Sequence, residues 1–369
     1  MAISDYYIGL ISGTSIDGVD CALVRFENEQ PRLQATHFKP SDAALREKIL
    51  RLCDGKQIDL ELYGQTDVEI GRVFATAALE LLEKAAVNKS AVRAIGSHGQ
   101  TVYHHPLGNY PFTLQLGDPN SIAAGTGITT VADFRRRDMA VGGQGAPLAP
   151  LLHRNCFRSS DHDRVVLNLG GISNITVLNR DGSCCAFDTG PANVLMDYWI
   201  EKHQSQRFDK NGDWARTGRI NQTLLKSFLD EEYFSRPIPK STGRELFNGN
   251  WLQDKLQQHG EALAAEDVQA TLLELTISTV VSAIKRETSP QQVYVCGGGA
   301  HNSALMEGLQ QSLGDCSVES SSVAGIDPDW VEAIAFAWMA KQTIEEHAID
   351  ASAFTGAAEA VILGGIYQA

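Results

Sequence analysis

Apolar residues in this chain come in short, strand-like runs that stop at glycine-rich loops, and one such arrangement occurs twice. Tyr7–Val24 reads YIGLISGTSIDGVDCALV: a strand, a loop of small and hydroxylated residues, and a second strand. Val165–Leu178 reads VVLNLGGISNITVL, with the same order of strand, Gly/Ser/Asn loop and strand. Each half also holds a later apolar run leading into glycines, IGSHGQT at Ile95–Thr101 and VCGGGAHN at Val295–Asn302. Glycine permits close backbone approach to a ligand, and successive N–H groups in such turns form anion-binding concavities. Ordinary tight turns use glycine too, but that reading explains one hairpin better than a repeated pair with matching partners.

The patterning predicts strands at Tyr6–Ser12, Asp20–Phe26 and Leu33–Phe38, rich in apolar and β-branched residues. Helices are expected at Ala43–Leu52 and Asp67–Ala86, where apolar residues recur at three- and four-residue steps. Strands at Val92–Ile95, Phe112–Leu116 and Ile128–Ala132 complete a mixed α/β order. The second half restarts at Val165 and adds a strand at Cys184–Phe187. There Asp188–Pro191 is expected to open a helix through Trp199, since proline suits a first helical turn. Further helices are expected at Val268–Ile284, Ser303–Ser312 and Pro328–Lys341, with a strand at Val293–Cys296 and irregular helix and loop over Gln204–Asn250. The length favours two domains, 1–130 and 131–344, with 345–369 able to pack back on the first. Compact crossings around Thr130–Gly145 are expected to join them.

Composition narrows the function. With 43% hydrophobic and 21% charged residues the chain has ample core, and a formal charge of −14 argues against nucleic-acid or anionic-membrane partners. The opening MAISDYY has no basic segment followed by an apolar run, so no secretory signal is expected. No stretch approaches the ~18 continuous apolar residues of a membrane span. Seven scattered cysteines without a CxxC fit reduced thiols in a cytoplasm. A GxxxxGK[ST] loop and a GxSxG elbow are both missing, and neither GGQG nor GGG has dinucleotide-fingerprint spacing. His104 and His105 have no second ligand pair at metal-binding spacing, so a structural role suits them better.

Nine strings in order resemble the anhydro-N-acetylmuramic acid kinase family of the sugar kinase, Hsp70 and actin superfamily. They are GLISGTSIDGVD, IGSHGQTVYHHP, TLQLGDPNSIA, VADFRRRDMAVGGQGAPLAP, LNLGGISNIT, FDTGPANVLMD, PKSTGRE, VCGGGAHN and EAIAFAW. DKNGDWARTGRI, in the central segment, matches more loosely. The resemblance implies an α/β, two-lobed actin-like ATPase (ribonuclease H-like) fold with nucleotide and sugar in the interlobe cleft. It implies ATP and Mg²⁺ as cofactors, a small amino-sugar substrate, a cytoplasmic location and a homodimer. The implied reaction opens the 1,6-anhydro ring of 1,6-anhydro-N-acetylmuramic acid with water and phosphorylates O6, for peptidoglycan recycling. A conventional sugar kinase acting on a free hydroxyl, and a non-enzymatic nucleotide switch, are the alternatives. The lack of a separate client-binding domain weighs against the switch.

Against that resemblance the residues take expected roles. Asp188 is the candidate general base toward water, with helix capping as its structural alternative. Gly13, Thr14, Ser15, Ile16, Asp17, Gly18, Val19 and Asp20 form the first phosphate hairpin. Gly170, Gly171 and Asn174 form the second, with Gly297, Gly298 and Gly299 near the adenosine. Asp17 and Asp20 would hold Mg²⁺ through water, although Asp20 also suits a plain turn. His98, Gln100, Thr101 and Asp118 offer hydrogen bonds to the sugar, and Arg135 suits its lactyl carboxylate, though the RRR run it begins also reads as a solvated turn. Glu332, the one carboxylate in an apolar helix, is expected to be buried against a ligand or a basic partner.

Overall fold

The computed structural model describes residues 6–56 and 58–369, so Met1–Asp5, on which the reading of the leader partly rests, lie outside the described residues. Two compact units form: residues 1–156 with 330–369, and residues 157–329.

The first unit is built on strands β1 (Tyr6–Ser12), β2 (Gly18–Glu27), β3 (Gln30–Pro40), β4 (Val92–His105), β5 (Phe112–Leu116) and β6 (Thr130–Ala132). A last strand, Gly365–Tyr367, pairs antiparallel with β6. The sheet runs Gly365–Tyr367, β6, β4, β1, β2, β3, with β5 on the far end of β4. β1, β2 and β3 are an antiparallel meander, while β1–β4 and β4–β6 are parallel. One face packs the helices Ala43–Asp54 and Leu60–Ala85 around Ile8, Leu10, Phe74 and Leu81. The helix Val331–Ile344 packs against β1 and β4.

That last packing explains two glycines. A Cβ on Gly9 would run into the backbone of Ala333, and one on Gly96 into the carbonyl of Phe336. Both therefore serve helix–sheet approach, not ligand binding.

The second unit repeats the plan with β7 (Arg164–Leu169), β8 (Ile172–Leu178), β9 (Cys184–Pro191), β10 (Gln292–Cys296) and β11 (Ser317–Ser320). Its sheet order is β11-β10-β7-β8-β9: again an antiparallel meander followed by two parallel strands. The core lies around Leu167, Ile175, Phe228, Leu275 and Val280. The 23-residue helix Ala265–Glu287 is long and apolar enough for a membrane span, but 72% of its most apolar window is buried among its neighbours in the fold.

Several boundaries differ from expectation. The division expected after residue 130 falls inside β6, because Val131–Cys156 and Val331–Ile344 pack with the first sheet. The chain passes between units at 156–157, beyond the crossing expected at Thr130–Gly145. The helix expected from Asp67 begins at Leu60, where the Asp59 carboxylate accepts the Leu62 N–H at 2.6 Å. β4 does not stop at Ile95 but continues through its glycines to His105, held by β1 on one side and β5 on the other. Pro191 ends β9 and does not open a helix; the helix starts at Asn193 and runs to Gln204. The helix expected from Pro328 begins at Val331, since the Pro328 carbonyl accepts the Gly297 N–H at 2.8 Å.

Candidate active site

In the first unit the β1–β2 turn closes with the Ile16 N–H donating to the Gly13 carbonyl at 3.3 Å. Ile16 takes a left-handed φ of 54° with its side chain buried, an anchor that turns the backbone outward. The Thr14 and Ser15 N–H groups have no hydrogen-bond acceptor among the described residues. The Ser15 hydroxyl donates to Asp17 Oδ1 at 2.5 Å. Gly18 and Val19 are buried, and a Cβ at Gly18 would strike Lys39 and Phe38, so this glycine serves strand packing.

Gln100 sits beneath the turn. Its Oε1 accepts from the Ser12 hydroxyl at 2.5 Å, while Nε2 donates to the Gly13 carbonyl at 3.3 Å and the Thr101 carbonyl at 3.1 Å. Both Nε2 hydrogens thus hold the turn, and Oε1 keeps one acceptor position beyond its bond from Ser12. Thr101 Oγ1 accepts from Gln115 at 3.1 Å. Asp118 is likewise occupied: it caps the helix Pro119–Thr126, accepting from Asn120 and from both the N–H and hydroxyl of Ser121. Burial would raise its carboxyl, but the Ser121 and Asn120 donors outweigh it and hold the group below its usual range.

His98 is buried, with both ring nitrogens engaged. Nδ1–H donates to the Gly99 carbonyl at 2.9 Å, so Nε2 accepts from Arg135 Nε at 2.9 Å. Loss of hydration and the Arg135 charge keep this imidazole neutral. Arg135 also donates from Nη1 to the Gly145 carbonyl at 2.8 Å, which leaves Nη2 as its open end. Burial draws its pKa down to about 10, while Glu332 and Asp138 support its charge. The loop beyond Arg135 is fixed by buried Asp138, which accepts from Gly145 N–H and the Thr355 hydroxyl, each at 2.7 Å. Glu332 is exposed, unlike the expected burial, but Arg135 acts on it as the expected basic partner, and its place in the first helical turn suits the helix dipole.

In the second unit Asp188 lies within β9, paired with Asn174 of β8, so the helix-cap alternative does not apply. The segment Lys240–Thr242 wraps it. Thr242 N–H donates to Asp188 Oδ2 at 2.9 Å, Asp188 N–H donates to the Lys240 carbonyl at 3.1 Å, and the Tyr233 hydroxyl donates to the Asp188 carbonyl at 2.7 Å. Lys240 Nζ is tied to the carbonyls of Tyr233 and Phe234, both at 3.0 Å. Oδ1 of Asp188 has no partner among the described residues. Loss of hydration raises this carboxyl to about 6 against the Thr242 bond, with Glu245 adding to the rise. Sequence reasoning assigned no role to Thr242, Tyr233 or Lys240, although PKSTGRE carries two of them.

The β7–β8 turn is Gly170–Gly171. Its carbonyls accept from Ala192, Asn193 and Val194 at 2.9–3.1 Å, and its own N–H groups have no acceptor among the described residues. Gly297 (φ 77°) and Gly299 have no room for a Cβ against the end of β7, whereas a Cβ on Gly298 would meet nothing within 4 Å. Gly298 lines a cavity of about 440 Å³.

For a divalent cation the fit is specific. Among the described residues no three His, Cys, Asp or Glu side chains gather, so an all-protein cage is absent. Exposed Asp17 and half-buried Asp20 suit instead an ion that keeps most of its water, as Mg²⁺ does.

Paired glycine turns with free N–H groups and one isolated, elevated carboxyl are the ingredients of phosphoryl transfer, and comparison with known proteins agrees. The family model described as anhydro-N-acetylmuramic acid kinase matches residues 5–369. The chain belongs to the anhydro-N-acetylmuramic acid kinase family. A relative of that name from Pasteurella multocida (strain Pm70) is 49% identical over 364 residues, covering 98% of this chain and 96% of its own. Another from Vibrio vulnificus (strain CMCP6) is 48% identical over the full length of both. Among solved structures, component A of the (R)-2-hydroxyglutaryl-CoA dehydratase of Acidaminococcus fermentans aligns at a TM-score of 0.50 and 11% identity. It covers 90% of this chain and 96% of its own, a likeness of fold alone. As a member of the anhydro-N-acetylmuramic acid kinase family the chain is an ATP-using kinase with the two-lobed actin-like ATPase fold. The two meanders, each followed by two parallel strands, are that fold's duplicated unit.

Proposed function

We propose that this kinase opens the 1,6-anhydro ring of 1,6-anhydro-N-acetylmuramic acid with water and transfers the γ-phosphoryl group of ATP to O6. The products are N-acetylmuramic acid 6-phosphate and ADP, in the recycling of peptidoglycan. The observation that carries the reading is Asp188: one oxygen anchored by Thr242 N–H, the other open, and a carboxyl raised to about 6. Such a group is ionised at neutral pH yet basic enough to take a proton. Water loses a proton to Asp188 as its oxygen bonds to C1. The C1–O6 bond breaks, O6 bonds to the γ-phosphorus, and the bond from phosphorus to the β-phosphate oxygen breaks to release ADP.

The free N–H groups of Thr14 and Ser15, and of Gly170 and Gly171, would donate to the phosphates, which matches a reaction governed by positioning and charge. Asn174, beside Asp188 in the sheet, would join them, and Gly297–Gly299 would lie near the adenosine. Asp17 and Asp20 would hold Mg²⁺ through water, and that ion would neutralise phosphate charge. Arg135 Nη2 and Glu332 are the open polar groups for the sugar, the former toward the lactyl carboxylate. His98 would act through Arg135, Gln100 through the turn and Asp118 through its helix, with Thr101 beside them. The reading includes a cytoplasmic homodimer without nucleic-acid or membrane partners.

The test is ADP release with the anhydro sugar in ¹⁸O-water. Sugar-dependent release with ¹⁸O at C1 of a 6-phosphorylated product is expected. Release only with an open-ring sugar would transfer the function to a conventional sugar kinase.

A further inference from the structure

Asp188 lies on β9, the end strand of the second sheet, with β8 as its neighbour on one side only. Such an edge leaves backbone N–H and C=O groups without strand partners. At Asp188 both groups are taken by the segment 232–242: the N–H by the Lys240 carbonyl, the C=O by the Tyr233 hydroxyl. The segment is anchored where it begins. Tyr233 is fully buried, and its ring meets Phe247 edge-on at 5.8 Å. The Phe234 ring stands where a Cβ on Gly190 would strike it, so the close approach to β9 depends on a glycine there. Lys240 closes the segment on itself, with Nζ reaching back to the carbonyls of Tyr233 and Phe234 at 3.0 Å each. That ammonium also lies 4.6 Å from the centroid of the Tyr233 ring, and it bonds to no carboxylate among the described residues.

Given the reading of Asp188 as the base, on which this inference rests, we infer that Tyr233 and Lys240 are positioning residues for the reaction. They close the segment over Asp188, so that Thr242 N–H stays on Oδ2 and Oδ1 is left for the attacking water. Neither residue touches the reacting atoms. Thr242 contributes a backbone N–H, so its hold depends on where the preceding chain is fixed, and Lys240 fixes it. Lysine suits the tie because its ammonium carries three donors on a flexible stem, two of them used here. Turning that charge toward carbonyls has a second effect. A cation beside Asp188 would lower its carboxyl and weaken the base. Burial and Glu245 raise the carboxyl and the Thr242 N–H lowers it, with Lys240 not among these influences. The Tyr233 phenol is pushed up by burial and by the Asp188 charge, against Arg236, so it stays a neutral donor. Around Lys240, burial, Arg286 and Arg236 draw the ammonium down and Glu287 opposes them.

The experiment follows kcat/KM against pH, together with kcat, KM and Tm, for Lys240→Met and Tyr233→Phe in the full chain. Lys240→Met keeps an unbranched stem over the Tyr233 ring and deletes the tie. Tyr233→Phe keeps the buried ring and deletes the donor. With the segment loosened, the Thr242 N–H leaves Oδ2 and its lowering influence goes with it. The acid-side midpoint should therefore rise from about 6 by up to about one pH unit, the worth of one charged hydrogen bond. On the alkaline plateau kcat should fall about tenfold, as for a base out of place, with the KM for ATP within about twofold. The doubly substituted chain should lose little more than Lys240→Met alone, because the two groups belong to one closed loop. A midpoint that stays near that of the unmodified chain in both variants, whatever the Tm or kcat, would overturn the assignment. If Lys240→Met does not fold, Tyr233→Phe decides by the same midpoint. Asp188→Asn separates this inference from the reading beneath it. Normal turnover in that variant would remove both, whereas an impaired Asp188→Asn beside unshifted midpoints would remove the positioning role alone.

Discussion

The two sheets share one strand order, yet their glycine turns are chemically different. In the first unit the turn from Gly13 to Asp17 bears two hydroxyls and a carboxylate and is propped from below by Gln100. In the second the turn is only Gly170–Gly171, its carbonyls sealed by the start of the helix Asn193–Gln204. The neighbouring strands diverge as well. β4 runs unbroken through Gly96 and Gly99, whereas β10 stops and the chain turns at Gly297. Repetition of architecture thus sets where the backbone presents N–H groups, and the side chains at each copy determine what else is offered. The first copy carries charge suited to a hydrated cation, and the second is neutral, with its one active carboxylate a strand away at Asp188.

The largest effect should come from removing that asymmetry. Asp188→Asn should lower kcat about 10²–10⁴-fold in the coupled ADP assay while leaving ADP affinity unchanged. The unmodified chain should lose kcat/KM about tenfold per pH unit below about 6 and be flat above it. The sign follows from a carboxyl that works as the base and is protonated below its raised pKa. Because folding disfavours this carboxylate, the unmodified chain loses stability as pH rises from the ordinary aspartate range through about 6. The Asn variant should therefore match or exceed its Tm at neutral pH.

Next, the glycines separate packing from binding. Gly9→Ala should destabilise the fold by about 3 kcal/mol in urea unfolding, because its Cβ meets the backbone of Ala333. Gly298→Ala, with open space around its Cβ, should change stability by less than ~0.5 kcal/mol. Equal effects would mean that the two positions are not distinguished by close approach. A smaller change is expected at Arg135→Lys, which keeps charge but loses the fork that spans His98 and Gly145. It should raise the sugar KM about tenfold with the ATP KM intact.

Much of this was legible in residue order. β1 and β5 have the predicted ends, whereas Asp188, expected just after a strand ending at Phe187, lies inside β9. What stayed hidden has physical causes. A glycine that admits a helix, such as Gly9 or Gly96, looks like a glycine that makes a turn, so β4 appeared to stop early. Asp118 carries a carboxylate that sequence reasoning offers to a ligand, whereas Asn120 and Ser121 already occupy both its oxygens, and the Gln100 amide nitrogen is likewise taken by backbone carbonyls. Glu332 was expected to be buried from its neighbours' apolarity, but it is exposed while Val331, Ala333 and Ile334 beside it are buried.

The helix Val331–Ile344 has a consequence for how the chain is made. It covers β1 and β4, yet it is translated after the whole second unit. At ~5–20 residues per second, the nascent first sheet waits roughly 10–40 s from residue 156 to residue 344 with that face uncovered. The second unit, continuous from Phe157 to Asp329, has its own core complete before then. The first sheet therefore receives the cover of this helix only after the second unit has been synthesised. A chain ended at Trp330 should be cleaved by protease within residues 6–105 while residues 157–329 resist; protection of both segments would contradict this order.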